Sequence, residues 1–221
     1  MSATIIQLAD CISDVAAWMG LGAYRLRLNP QKTELIYGSV HARQLLEKIT
    51  TDDIRILSAQ LHPEPNVRDL VVIIDSRLTM ADHVTAVCKA GYYQLRQLRE
   101  VVQSLTSKAA KSLDNAFISN CLDYCNSLLY GITDTQLQRL QLVQNAAARL
   151  VIGTRCSEHI TLVLRSLHWL PDRQRITFKV ATIVHKCLNG RAPVYLSNDL
   201  QYAQHCWAAP DWHALCQHGP T

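Results

Sequence analysis

The sequence predicts an α+β, mostly helical chain, with a small antiparallel sheet followed by a helical bundle. Three observations carry this expectation. Val67-Arg68-Asp69-Leu70-Val71-Val72-Ile73-Ile74-Asp75 begins as an alternating run and ends as a continuous β-branched one, the pattern of a strand entering a core. From Thr79 to Gly190 apolar residues recur at three- and four-residue spacing almost throughout. Apolar residues make up 48% of the 221 and charged residues 18%, enough apolar content to build a core.

In chain order, Ile5, Leu8, Ile12, Val15 and Met19 mark a helix over Thr4 to Met19, with Gly20 and Gly22 as its stop. Tyr24 to Leu28 and Thr33 to Tyr37 read as strands around an Asn29-Pro30 turn. His41 to Ile49 suits a short helix, and Ile54 to Leu57 alternates like a half-buried strand. Pro63 and Pro65 then break the chain before the Val67–Asp75 strand.

Five helices are expected beyond it. Thr79 suits an N-cap with Asp82 three residues on, and Val84, Cys88, Gly91, Leu95, Leu98 and Val102 form the stripe of that helix. Thr106 or Ser107 opens the next, with Ala110, Leu113, Phe117 and Cys121 inward. Asp134 caps a third, lined by Leu137, Leu140, Val143, Ala147 and Leu150. A short fourth covers Ile160 to Leu167. Pro171 opens a fifth, with Ile176, Val180, Ile183 and Cys187 on one face and Gly190 as its end. The expected domains are 1–78 (helix plus short strands), 79–200 (helical bundle) and 201–221, a Cys/His-rich tail read as poorly ordered.

No apolar run reaches the roughly 18–20 residues that span a bilayer, and Met1 to Asp10 lacks the pattern of a secretory signal. Eight cysteines, at 11, 88, 121, 125, 156, 187, 206 and 216, lie mostly in apolar helical patterns, which suits reduced thiols inside a cell, in nucleus or cytoplasm. Cys121 and Cys125, four apart, share a helical face but have no matching second pair, so no metal site is expected; the tail's His205, Cys206, His213, Cys216 and His218 fit no finger or knuckle spacing. The net charge of +4 is uneven: residues 81–200 hold 14 Lys/Arg against 8 Asp/Glu, whereas residues 1–80 hold 8 against 9. Lys89, Arg96 and Arg99 share one helix face, and Arg175, Lys179 and Lys186 another; such faces are either wetted surfaces or phosphate contacts.

Several strings are more specific than these patterns. Leu122-Asp123-Tyr124-Cys125-Asn126-Ser127-Leu128-Leu129-Tyr130-Gly131, Gln144-Asn145-Ala146-Ala147-Ala148-Arg149-Leu150-Val151 and Leu167-His168-Trp169-Leu170-Pro171 occur in that order. Upstream stand Leu28-Asn29-Pro30-Gln31-Lys32-Thr33-Glu34, the Val67–Asp75 run and Ala90 to Arg99. Together they resemble the reverse transcriptases of non-long-terminal-repeat retrotransposons, the LINE and jockey-like elements, from the motif that follows the catalytic aspartates through the thumb. The resemblance covers roughly residues 8–200. It departs at Val71, where the family carries glycine, and after Leu200.

The resemblance implies an RNA-directed DNA polymerase whose two Mg²⁺ ions are held by aspartates upstream of this stretch. The adjacent pair Asp52-Asp53 lies after the Lys32 segment and lacks the family's surroundings. The expectation is therefore a palm remnant plus thumb that is not an enzyme alone, needs no cofactor itself, and binds RNA or DNA weakly through Lys89, Arg96, Arg99, Arg175, Lys179 and Lys186. Lys32 occupies the position that protonates the leaving group in the family. The alternatives are a helical protein-interaction module without a nucleic-acid role, and a non-functional pseudogene product. No membrane partner is expected.

Overall fold

The computed structural model describes residues 3–21, 27–36, 55–56, 59–60, 64–154 and 158–207. Mostly helical α+β structure is what it shows. Two compact units divide the chain, Met1–Ala86 and Val87–Thr221. The change of pattern at Thr79 thus precedes the division, because the helix that begins there runs through it.

In the first unit, α1 (Ala3–Leu21) covers the expected helix and carries Gly20 inside it. Asn29 organises the turn that follows. Its side-chain oxygen accepts from the Gln31 N–H at 3.0 Å, and its carbonyl accepts from the Lys32 N–H at 3.1 Å and the Thr33 hydroxyl at 3.0 Å. The result is a 3₁₀ turn over Pro30–Lys32. The strand expected over Thr33 to Tyr37 reduces, among the described residues, to Leu35, whose carbonyl accepts from the Glu64 N–H at 2.8 Å. Arg27 and Leu28 show no regular structure; the rest of the Tyr24 strand and the His41–Ile49 helix lie outside the described residues. β1 (Arg55–Ile56) and β2 (Ala59–Gln60) pair antiparallel.

The Val67–Asp75 run is a hairpin rather than one strand. β3 (Asn66–Asp69) pairs antiparallel with β4 (Val72–Asp75), with Asp69 opposite Val72. Only Leu70 and Val71 remain for the loop, at φ 44° and 76°. A two-residue loop with both central φ values positive is the type I′ turn, which matches strand twist but favours Asn-Gly or Gly-Gly. The signals that mark a hairpin are absent, so the apolar run concealed the turn. A β-branched residue in the left-handed region crowds its own carbonyl.

After β4, Asp75 builds the approach to α2 (Ala81–Val102). Its buried carboxylate accepts from the N–H groups of Arg77 (3.0 Å), Thr79 (3.0 Å) and Met80 (2.7 Å) and from the Thr79 hydroxyl at 3.1 Å. Burial alone raises a carboxyl, but these donors outweigh it and hold Asp75 below its ordinary value. Thr79 therefore acts mainly as a donor to Asp75, while its oxygen sits 3.4 Å from the Ala81 nitrogen. His83, also buried, accepts from the Ile73 N–H through Nδ1 at 3.4 Å, and burial holds it below the usual imidazole value.

α2 continues into the second unit, which adds α3 (Ser107–Asp114), α4 (Asn120–Asp123), α5 (Asp134–Ile152), α6 (Ile160–Leu167), α7 (Asp172–Leu188) and α8 (Val194–Trp207). Thr106 is the N-cap of α3, its hydroxyl accepting from the Ala109 N–H at 3.3 Å. A π turn at Asn115–Ser119 adds one residue to the path between α3 and α4. That extra residue moves the inward face from Phe117 and Cys121 to Ile118 and Leu122: Ile118 is fully buried, whereas Phe117 is 47% exposed. Cys125 lies beyond α4 at φ 51°, so Cys121 and Cys125 do not share a helix face. Thr133, not Asp134, is the N-cap residue of α5; Asp134 sits in the first turn, where an acid suits the dipole.

α5 is the central helix, packed against α3, α6 and α7. Ala148 and Val151 of α5 join Ala110, Val163, Leu164 and Leu167 in one apolar cluster, with Trp169 against it. α2 approaches α5 at Gly91, where an added Cβ would lie 2.7 Å from Val143 Cγ1; only a glycine permits that spacing. α6 and α7 occupy the ranges read from the sequence, with Pro171 as the N-cap residue of α7 and Gly190 at φ 64° beyond its end. α8 was not expected, and it carries regular structure into the stretch read as a poorly ordered tail; residues 208–221 lie outside the described part. Cys88 and Cys187 are buried and Cys121 and Cys125 half-buried, as free thiols, but Cys11 is exposed.

Relieving the turn is the direct check on the hairpin. Val71→Gly should raise stability by about 1 kcal/mol, since the left-handed region costs an L-residue roughly that much. A urea titration monitored at the hairpin should show a higher midpoint; an unchanged or lower midpoint would contradict the assigned turn.

Candidate nucleic-acid interface

The groove and the cleft described here belong to the second unit. Because Gly91 lets α2 and α5 close together, the side chains one turn further along can share a groove. Tyr92, Arg96 and Arg99 of α2 line it with Arg149 of α5 and with Thr154 just beyond the helix, around a volume of about 720 Å³. Arg96 and Arg99 are exposed, and Arg149 is half-buried. Arg149 Nε and Thr154 Oγ1 are buried without a hydrogen-bond partner among the described residues. Gly153, at φ 75°, ends α5, and its N–H and that of Thr154 return to the Arg149 carbonyl at 2.8 and 3.2 Å. The groove is therefore lined by three arginines and one tyrosine, with two unpartnered hydrogen-bonding atoms buried behind its surface. Guanidinium forks match phosphate oxygens in charge and geometry.

A second cluster is built where the sequence strings meet. Gln144 is 1% exposed. Its Nε2 donates to the Leu170 carbonyl at 2.9 Å, and its Oε1 accepts from Gln141 Nε2 at 2.7 Å. Gln141 Nε2 also donates to Asn145 Oδ1 at 2.8 Å, while Gln141 Oε1 accepts from the Asp172 N–H at 3.0 Å. The start of α7 is thus tied to α5 by side-chain amides. Arg175 of α7 then pairs closely with Asp123 and lies 3.8 Å from Asp172. Asp123 also accepts from Asn126 Nδ2 at 3.1 Å. His168, at φ 58°, takes the left-handed conformation after α6, and the Trp169 N–H reaches back to the Leu164 carbonyl at 2.9 Å, which fixes the corner.

Beside this cluster lies a cleft of about 340 Å³ lined by Asn115, Asn126, Trp169, Arg175, Phe178 and Lys179 among others. Two buried carboxyls flank the ion pair. Burial pushes Asp172 up to about 6; Arg175 opposes that rise and Asp123 adds to it. Burial likewise pushes Asp114 up to about 6, against the Ser119 hydroxyl bound at 3.1 Å and the Arg175 charge. Asp114 Oδ1 and Asp172 Oδ2 have no hydrogen-bond partner among the described residues.

The residues expected to contact nucleic acid are distributed unevenly. Arg96 and Arg99 meet in the basic groove. Arg175 and Lys179 line the second cleft, but Arg175 is half-buried and engaged by acids, so its charge is largely committed. Lys89 and Lys186 are exposed and line neither. Lys32 is exposed in the 3₁₀ turn of the first unit. Arg149, Asp123, Asn126 and Asp172 were missed as site residues. Arg149 stands in a string that the sequence singled out, but its place opposite Arg96 depends on the α2–α5 contact, which spacing within one helix does not reveal. Among the described residues no three His, Cys, Asp or Glu side chains form a group able to hold a metal, and no helix is long and apolar enough to cross a membrane. Burial pushes the Cys88 and Cys121 thiols up, so they stay protonated.

No family model, curated protein or solved structure matches this chain.

The buried groups set opposite pH responses in the two units. Asp114 and Asp172 bind protons in the folded state at a pH where the unfolded chain has lost them, so the helical unit should gain stability as pH falls from 7.5 through 6 toward 4. His83 has a lowered folded value, so the hairpin should lose stability as pH falls below 6.5. Amide exchange, corrected for its intrinsic pH dependence, should show α5 better protected and β4 less protected at pH 5 than at 7.5. The double change Asp114→Asn, Asp172→Asn should flatten the α5 response. Separately, Arg175→Ala leaves Asp123 and Asp172 without their shared cation and should cost about 3 kcal/mol in denaturant unfolding at pH 7.5.

Proposed function

We propose that this chain is the palm-end and thumb region of a non-long-terminal-repeat retrotransposon reverse transcriptase, and that it binds nucleic acid through its helical unit. RNA-directed DNA polymerisation belongs to the parent activity and would require the metal-binding aspartates of the upstream palm. The role assigned to this stretch is to hold a primer–template by its phosphates. The observation that carries the reading is the convergence of Arg96, Arg99 and Arg149 with Tyr92 in one groove. Cations that face a common groove can neutralise successive phosphates, whereas cations scattered over a wet surface do not. The ordered strings support the lineage independently of the groove.

A second reading rests on a different observation. Leu162, Phe178, Leu188, Val194 and Tyr195 of α6, α7 and α8 are all more than half exposed, which suits a helical surface that docks a protein partner.

Fluorescence anisotropy with a labelled primer–template over a salt series separates the two. The nucleic-acid reading predicts log affinity falling linearly with log salt. Replacing Arg96 and Arg99 together by alanine should lower that slope by about 2, at somewhat under one unit per duplex phosphate contact. Arg149→Ala should lower it further. Absence of binding at low salt, from a folded protein, would contradict the reading and leave the docking surface as the better account.

A further inference from the structure

The 340 Å³ cleft where the strings meet is separate from the basic groove in lining and in chemistry. Its wall is aromatic: Phe178, 66% exposed, and Trp169, which is anchored against the apolar cluster. An exposed phenylalanine on a helix loses contact with water only when a partner covers it, and a flat ring is the partner that its face fits best. Two of the groups lining the cleft are polar and oriented. Asn126 is 4% exposed, its Nδ2 spent on Asp123, and its Oδ1 lacks a hydrogen-bond partner among the described residues. That oxygen is buried, so an amino group on the edge of a planar ring would supply its missing donor by entering to the full depth of the lining. Asp123, held by Arg175, presents a second acceptor beside it.

Charge completes the description. Within the lining Asp123 offsets Arg175, and the Asp172 carboxyl lies 3.8 Å from the same guanidinium. Lys179, one turn beyond Arg175 on α7, is exposed and also lines the cleft. A flat ring with an amino edge and an attached anion satisfies all three features at once.

We propose that this cleft receives one unstacked, amino-bearing nucleobase, with Phe178 and Trp169 against its face, Asn126 and Asp123 at its edge, and Lys179 on its phosphate. The proposal rests on the nucleic-acid reading above and deepens it: the groove holds backbone, and the cleft holds a single splayed base. Single strands are recognised in this way, by stacking on aromatic side chains with backbone cations alongside.

The test uses the full chain and a short thymidine oligonucleotide carrying one 2-aminopurine, a fluorescent amino-bearing base. Binding should change the 2-aminopurine emission. Phe178→Ala should abolish that change and weaken binding about 10-fold, within the range for loss of one base stack, while the salt slope stays as in the wild type. Lys179→Ala should reduce the slope by about 0.7, the value for one phosphate of a single strand. The free 2-aminopurine nucleotide, tested alone, separates the sources: a response abolished by Phe178→Ala supports the cleft and assigns it to free nucleotides as well as strands. If wild-type protein binds the strand with its normal slope but emission does not change, or if Phe178→Ala changes neither emission nor affinity, the base cleft is overturned and the groove stands. If the wild type binds no strand and no free nucleotide, the base cleft is overturned, and the primer–template titration decides the groove by itself.

Discussion

The buried amide of Gln144 is the contact on which the helical unit depends. It lies on the central helix, almost wholly out of water, and it joins that helix to the corner before α7 through the Leu170 carbonyl. A buried amide is stable only when its groups are paired, so this link dictates the register of α7 on α5 as well as adding stability. Gln141 repeats the link one turn away by accepting from the Asp172 N–H. With α7 placed, Arg175 reaches Asp123, and the stretch between α4 and α5 is drawn into the same network. Gly91 brings α2 against α5 at Val143, the residue next to Gln144, and Arg149 lines one groove with Arg96 and Arg99. Both candidate surfaces thus follow from the placement of one helix.

That placement has an energetic cost. Asp114 and Asp172 are buried acids whose full ionisation the site resists, and Arg175 is shared among Asp123, Asp172 and the more distant Asp114. Replacing such a network by apolar side chains often stabilises a protein. The proposed cleft gives the network a role beyond stability, because Asn126 and Asp123 line it beside the exposed Phe178 ring.

Much of the helical unit was legible in the sequence because its signals are local. Thr106 caps α3, Ile160 and Leu167 bound α6, and Pro171 opens α7, each by chemistry confined to one or two turns. What escaped was either an added residue or a contact across the fold. The π turn shifted burial from Phe117 to Ile118 without any change in composition to announce it. The hairpin at Leu70-Val71 lacks the glycine or asparagine by which such turns are recognised, and so it read as a single strand. Arg96 and Arg99 were visible as one face of a helix, but Arg149 joins them only through the packing of α2 on α5. Arg175 looked like a free cation because its acids, Asp123 and Asp172, become its neighbours only when the strings converge.

The central claim is that the α2–α5 groove is a phosphate-binding surface. Hydrogen exchange of the protein with and without a bound primer–template tests it most directly. The account predicts added protection concentrated over residues 92–103 and 146–154, which carry the groove, and reversed by salt as phosphate contacts are released. Protection confined to α8 and the exposed faces of α6 and α7, with residues 92–103 and 146–154 unchanged, would contradict it.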